Sequence, residues 1–465
     1  MLQAGKRSPL HETVAPWRVG RIATMLAAML ALSSVPAHAV TISGSDFLSP
    51  GQQWDPGISL FGEELAPRLD LDGLVRFQVL DQQLHNQTDN FVTPQLDLQT
   101  NLQLTATQRV YALWRPIEWG AREPTFFQFG DDHGWTGRSS GTPQALFYEG
   151  QPFNWLSPND RVPLDFTLAI GRVPLFLQNG LWFNNFMDGF QLSKNNIQIG
   201  NLSNLNVMYF LSLGETQPGL TLELPSRREA EKRVMGFDTN ADWLDYFFEL
   251  SYAASFDNSK LPGLSQNLNR GFWAASVTRT FGFNSGVSLR TMGSTGNGTA
   301  GAGELAALET QRGVLGQLAY CNIFGATKNW KTPSVTGSPL NQEGILFTFD
   351  RQQATPELNL RGSGTVGSAL GVTLDPRAPI TYTPEFGWLV DNESPTNDQV
   401  GLAFQIQADL AHMFIPGSTL NDMVRRGILY GALARLTFLG IRNEDTQVAG
   451  DRFDFGSMLE LIYQF

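Results

Sequence analysis

From Leu69 the chain settles into an alternation of apolar and polar positions that returns, segment after segment, to its last residues. Leu71, Gly73, Val75, Phe77 and Val79 share one parity, and Asp70, Asp72, Arg76 and Gln78 the other. Leu96, Leu98, Leu102 and Leu104 alternate with Asp97, Gln99, Asn101, Gln103 and Thr105. In the same way Tyr246, Phe248, Leu250, Tyr252, Ala254 and Phe256 oppose Asp245, Glu249, Ser251 and Ser255. Val400, Leu402, Phe404, Ile406, Ala408 and Leu410 oppose Gln405, Gln407 and Asp409, and Ala434, Leu436 and Phe438 oppose Arg435 and Thr437. Successive strand residues point to opposite faces, so one oily and one wet parity predicts a strand between two different solvents. Further segments of this kind lie at 109–114, 165–170, 190–199, 205–213, 271–281, 286–292, 314–324, 345–349, 369–374 and 385–390. With a closing strand they come to about sixteen, within a range of about 14 to 18 set by boundary uncertainty.

The connections alternate in length. Ala106-Thr107-Gln108 makes a brief polar turn, whereas 214–241, 293–313, 325–344, 351–368, 391–399 and 440–452 read as long loops. The longest stretch without a strand pattern is 118–163, dense in Trp, Phe, Gly and Pro. Loops beyond about 12–15 residues are usually functional or disordered, and this aromatic content argues for order. Two arrangements stay open for it: a constriction folded into a channel mouth, or an external loop packed on its neighbours.

The final thirteen residues repeat the alternation: Phe453, Phe455, Leu459, Leu461, Tyr463 and Phe465 against Asp454, Glu460 and Gln464, with Ser457 the one interruption. This ending resembles the C-terminal strand of bacterial outer-membrane β-barrels. There the terminal Phe and the alternating apolar residues, here Phe465, Tyr463, Leu461 and Leu459, are the signal read by the barrel assembly machinery. At the other end, residues 1–39 read as a cleaved secretory signal. Lys6, Arg7, Arg18 and Arg21 precede the apolar run Ile22 to Leu32, and Ala37-His38-Ala39 supplies the small-x-small site. Residues 40–67 read as a periplasmic lead-in, and 68–465 as the barrel. The expected fold is all-β, a transmembrane antiparallel up-and-down barrel placed in the outer membrane, where the partners are membrane lipid and lipopolysaccharide. At about sixteen strands an aqueous channel remains inside.

Charge and composition narrow the function. Without the four basic residues and one acidic residue of 1–39, 28 Lys and Arg face 43 Asp and Glu, a net charge of −15. That excludes nucleic acid as the expected partner, since it requires a basic surface. The single Cys321 permits no internal disulfide. Mean hydropathy is slightly negative, as it is in barrels, whose lipid-facing and lumen-facing residues cancel. No cofactor motif and no zinc spacing is present, and the histidines after residue 39 are His85, His133 and His412. Asp131-Asp132-His133 reads as a solvated turn rather than a metal site, and catalysis is not expected.

The polar parity nominates the pore lining: Asp97, Gln99, Asn101, Gln103, Glu249, Ser251, Gln405, Gln407, Asp409 and Arg435. Its carboxylates favour a channel for small hydrophilic solutes that prefers cations or neutral molecules. A second reading starts from Gly171-Arg172 and, after a loop, Phe186-Met187-Asp188-Gly189-Phe190. This pair resembles, over some 20–25 residues, a pair in alginate-export-type barrels, although Val173 replaces a Gln and Met187 intrudes. The resemblance implies an exporter of an anionic polysaccharide, with Arg172 and Asp188 at a rim or constriction. A barrel enzyme or adhesin is the third reading. Oligomeric state is left open.

Overall fold

The computed structural model describes residues 59–60, 63–84, 87–117, 126–129, 134–136, 143–153, 166–213, 232–257, 270–282, 285–295, 301–335, 343–347, 364–392, 398–410, 432–443 and 452–464. The secretory signal, His85, His133, His412 and Phe465 lie outside them. Eighteen strands close into one barrel. They are β1 (Arg68–Leu84), β2 (Gln87–Gln103), β3 (Arg109–Ile117), β4 (Ala145–Gly150), β5 (Phe166–Leu177), β6 (Phe183–Ile199), β7 (Leu202–Ser212), β8 (Lys232–Trp243) and β9 (Tyr246–Asp257). They continue as β10 (Arg270–Thr280), β11 (Gly286–Ser294), β12 (Gly303–Val314), β13 (Gln317–Ala326), β14 (Thr365–Thr373), β15 (Ile380–Asp391), β16 (Gln399–Asp409), β17 (Ala432–Asn443) and β18 (Arg452–Gln464). Each wall strand pairs antiparallel with the next, and β18 returns to β1, with Tyr463 opposite Val75, Leu461 opposite Phe77 and Leu459 opposite Val79. A closed ring has no unpaired edge, which is what a sheet needs in lipid.

The start of β1 and the end of β18 share one rim with the tight turns at 200–201, 244–245 and 315–316. Short turns mark the periplasmic side of such barrels and long connections the external side. At the periplasmic end Arg279 of β10 lies 5.0 Å from the ring centre of Tyr246 and 4.8 Å from that of Phe281, a guanidinium on an aromatic girdle. Large apolar side chains cover the outside, among them Leu250, Tyr252, Leu289, Ile323, Leu402 and Phe404.

Three wall strands escaped the sequence pattern, and one expected strand is absent among the described residues. Ala145–Gly150 lies within the expected loop 118–163 and is a wall strand between β3 and β5. Lys232–Trp243 takes up the end of 214–241 and runs two residues past it, and Gly303–Val314 does the same for 293–313, running one residue past it. In the last two the inward parity is apolar where lumen-facing residues were expected to be polar: Val234, Leu305 and Ala307 are buried. Residues 345–347 form a 3-10 turn inside the barrel instead of a strand.

Part of the lead-in is described. Ser59–Leu60 and Glu63–Glu64 pair as a small hairpin, and the Ala66 amide donates to the Leu104 carbonyl at 2.9 Å. Glu63 accepts from Thr105 Oγ1 at 2.5 Å, Thr107 Oγ1 at 2.5 Å and the Thr107 amide at 3.1 Å, all at the periplasmic β2–β3 turn. Partial burial raises the Glu63 carboxyl, but these three hydrogen bonds outweigh it and hold the group below its ordinary value of 4.5. A depressed folded pKa gives stability that is present above the unfolded value and lost as pH falls through the folded one. Hydrogen exchange of the Thr107 amide is therefore expected to lose protection as pH drops below 4.5, and Glu63→Gln to weaken it at neutral pH. Equal protection in the variant would mean that Glu63 does not fasten the lead-in.

Candidate functional site

The site begins where β5 and β6 leave the wall. β5 pairs with β4 from Leu168 to Arg172, and β6 pairs with β7 from Gly189 onward. Beyond these points residues 173–177 and 183–187 pair with each other as a hairpin arm, and Ser334–Val335 runs parallel to Phe183–Asn184. Gly171 has φ 128°, and a Cβ there would stand 2.3 Å from the Leu146 carbonyl oxygen. A Cβ at Gly189 would stand 2.0 Å from the Leu211 carbonyl oxygen. Both glycines are thus required where the arm bends away from its neighbours. Arg172 and Asp188 are cross-strand partners at this root, 3.9 Å apart.

The arm folds into the lumen because its own side chains are apolar. Leu181, Trp182, Phe183 and Met187 are fully buried, packed with the inward residues Phe210, Val234, Phe272, Met292, Leu305 and Phe324 of β7 to β13. Burial of each such side chain contributes about 1.5–3 kcal/mol. At the tip Gln178 and Asn179 both adopt left-handed backbone, φ 53° and 56°, which costs about 1–2 kcal/mol at Gln178 and less at Asn179, since asparagine tolerates that region. Contacts with the opposite wall hold them there. The Gln178 amide donates to Glu249 Oε1 at 2.8 Å, Gln178 Nε2 to Ser251 Oγ at 3.1 Å, and Asn179 Nδ2 to Glu309 Oε1 at 3.1 Å. Arg290 joins the group: its Nε is 2.9 Å from Glu309 and its Nη1 3.7 Å from Glu249.

A second segment enters from the β13–β14 connection. Trp330 is buried with the arm, and residues 343–347 lie against β13 and β15. Glu385 accepts the Ile345 and Leu346 amides at 2.7 Å each and the hydroxyl of Tyr320. One carboxylate therefore fastens the turn, while Leu346 and Phe347 fill the apolar lumen, Phe347 edge-on to Phe324 at 5.1 Å.

Between these insertions and the far wall lies a chamber of about 1070 Å³. One side carries Arg76, Asp97, Arg115, Arg435 and Glu460; the other carries Asn179, Arg290 and Glu309. Arg115 grips Asp97 through two bonds of 2.5 and 2.9 Å, and Arg435 lies 3.1 Å from Glu460. The first side holds three arginines and two carboxylates. The second, with Glu249 behind it, holds one arginine and two. The two sides thus have opposite net charge across a space partly walled off from bulk water, where such fields are weakly screened.

Of the residues nominated from the pattern, Asp97, Gln405 and Arg435 line this chamber. Glu249 and Ser251 sit beneath the arm tip, where Ser251 donates to Asp238 at 2.6 Å. Gln407 accepts from Arg435 at 3.3 Å, and Gln99, Asn101 and Gln103 share registers with Asp72, Asp70 and Arg68 toward the periplasmic rim, as Asp409 does at the end of β16. Arg172 and Asp188 stand at the arm root. Arg76, Arg115, Arg290, Glu309 and Asn179 were not among the nominated residues. The wet parity of 69–79 and 286–292 pointed to Arg76 and Arg290; no local signal pointed to Asn179.

The sequence matches no family model and no curated relative. Solved structures share the fold. Pseudomonas aeruginosa OccK5 (OpdH) aligns over 85% of this chain and 98% of its own at 10% identity, with a TM-score of 0.55. P. aeruginosa OccK2 (OpdF), in complex with glucuronate, aligns over 85% and 98% at 13% identity and 0.52. A BenF-like porin from Pseudomonas fluorescens Pf-5 aligns over 85% and 98% at 9% identity and 0.52. The chain has the fold of a bacterial outer-membrane porin, an integral membrane barrel.

Proposed function

We propose that this chain is an outer-membrane channel for small hydrophilic solutes, favouring neutral, zwitterionic or cationic molecules over anions. The inward arm carries this reading, because it turns a wide barrel into one charged chamber. Its two oppositely charged sides suit a solute bearing both signs, oriented across the passage. Glucuronate, held by the similarly folded OccK2, is a small hydrophilic solute of the size this chamber admits, but it carries no positive charge to meet the carboxylate side here. Export of an anionic polysaccharide is the alternative reading, carried by the resemblance of Gly171-Arg172 and Asp188-Gly189, whose glycines here serve the bend of the arm. The closing strand, with Leu459, Leu461 and Tyr463 outward, is proposed as the part that the assembly machinery reads.

The test is a planar-bilayer recording under a salt gradient. Expected is a reversal potential of cation sign, moved toward the chloride value by Glu309→Gln, and a stronger reduction of ion current by a zwitterionic amino acid than by glucuronate. A clear anion preference in the unaltered protein would overturn the reading.

A further inference from the structure

On the outer face, near the external rim, the belt of large apolar side chains is interrupted by a groove of about 880 Å³. Register explains it. Ala275, Thr291, Ala306 and Gly325 follow one another across β10 to β13, each opposite the next. The row below them toward the periplasm is large: Val277, Leu289, Leu308 and Ile323. At one end the Trp273 indole lies flat over Gly293, where a Cβ would come within 2.2 Å of its Nε1. At the other end stands Val366, 3.6 Å from where a Cβ of Gly325 would be, so the floor between is open. The upper edge is polar: Glu304, Thr327, Lys328 and Asn392.

We propose that this groove binds a phosphorylated, acylated lipid of the outer leaflet, its acyl chain along the small-residue floor and its phosphate beside Lys328. The proposal rests on the channel reading above only in that this face meets the membrane. An indentation at that depth is filled by a lipid chain, and each buried methylene adds to the hold. Trp273 at the level where chain meets headgroup is the side chain expected at such a boundary. The Lys328 ammonium at the upper edge complements the phosphate, with the Glu304 carboxylate at the same edge, and the outward face beneath is apolar apart from Thr291. A second copy of this chain is the competing occupant.

The test uses the whole barrel purified in detergent, with co-purified phosphorylated lipid counted by native mass spectrometry. Ala306→Trp, which fills the floor, and Lys328→Glu, which repels the phosphate, should each lower retained lipid about tenfold. Ala434→Trp, on the outward parity of β17 opposite Leu461 and four strands on from β13, should leave retention unchanged. Equal retention in the unaltered protein and Ala306→Trp would overturn the proposal. So would conversion of an oligomer to monomer by Ala306→Trp without loss of lipid, which would assign the groove to a second copy. Single-channel conductance, recorded on the same samples, should stay constant throughout, so failure here is distinguishable from failure of the channel reading.

Discussion

Trp182→Ala is expected to raise single-channel conductance several-fold and to make the current flicker. Trp182 is fully buried between the arm and the wall, and truncating a buried Trp to Ala costs about 3–5 kcal/mol. That loss falls on the docking of the arm, because the wall strands are joined by their own ladders and do not depend on it. An arm that undocks part of the time leaves the wider passage that a ring of this size encloses. Replacing residues 174–187 by a two-residue turn should give the high conductance without the flicker. Unchanged conductance in both variants, with the barrel intact by circular dichroism, would show that the arm does not set the width of the passage.

Glu385→Ala is expected to release the second insertion. The substitution leaves the Ile345 and Leu346 amides and the Tyr320 hydroxyl without their shared acceptor. Each orphaned buried group costs about 1–3 kcal/mol. Hydrogen exchange should then show fast amides at 345 and 346 while those of β14 and β15 stay protected, and conductance should rise. Glu385→Gln keeps one oxygen acceptor and is expected to lie between. Retained protection at 345 and 346 in the alanine variant would mean that the apolar contacts of Leu346 and Phe347 hold the turn unaided.

Where the lumen is wet, the fold could be read directly from the chain. β1, β2 and β16 to β18 have water on one side and the membrane on the other, and their parity shows it. Where the arm covers the wall, the same reasoning fails for a physical reason. β8 and β12 present Val234, Leu305 and Ala307 inward, so both of their faces are apolar in part and the alternation fades. The run Ile345-Leu346-Phe347 looks like strand by composition, yet its apolar side chains serve to fill the lumen. The glycines at 171 and 189 stood out in the sequence, but their purpose, the close approach of the bent arm to Leu146 and Leu211, exists only in the assembled barrel. The chamber divides in the same manner. Asp97, Gln405 and Arg435 follow from parity, whereas Asn179 meets Glu309 across 130 positions of chain, a contact that no local pattern encodes.

If the chamber is the passage, the arm tip stands in the path of solute. That placement can be tested on one exposed side chain. In a Cys321→Ser background, Asn179→Cys would be treated with a charged, water-soluble methanethiosulfonate while a single channel is recorded. Expected is an abrupt, reagent-dependent step in current as the thiol at position 179 is modified, absent from the background protein. Stoichiometric labelling at that position with an unaltered current would contradict it.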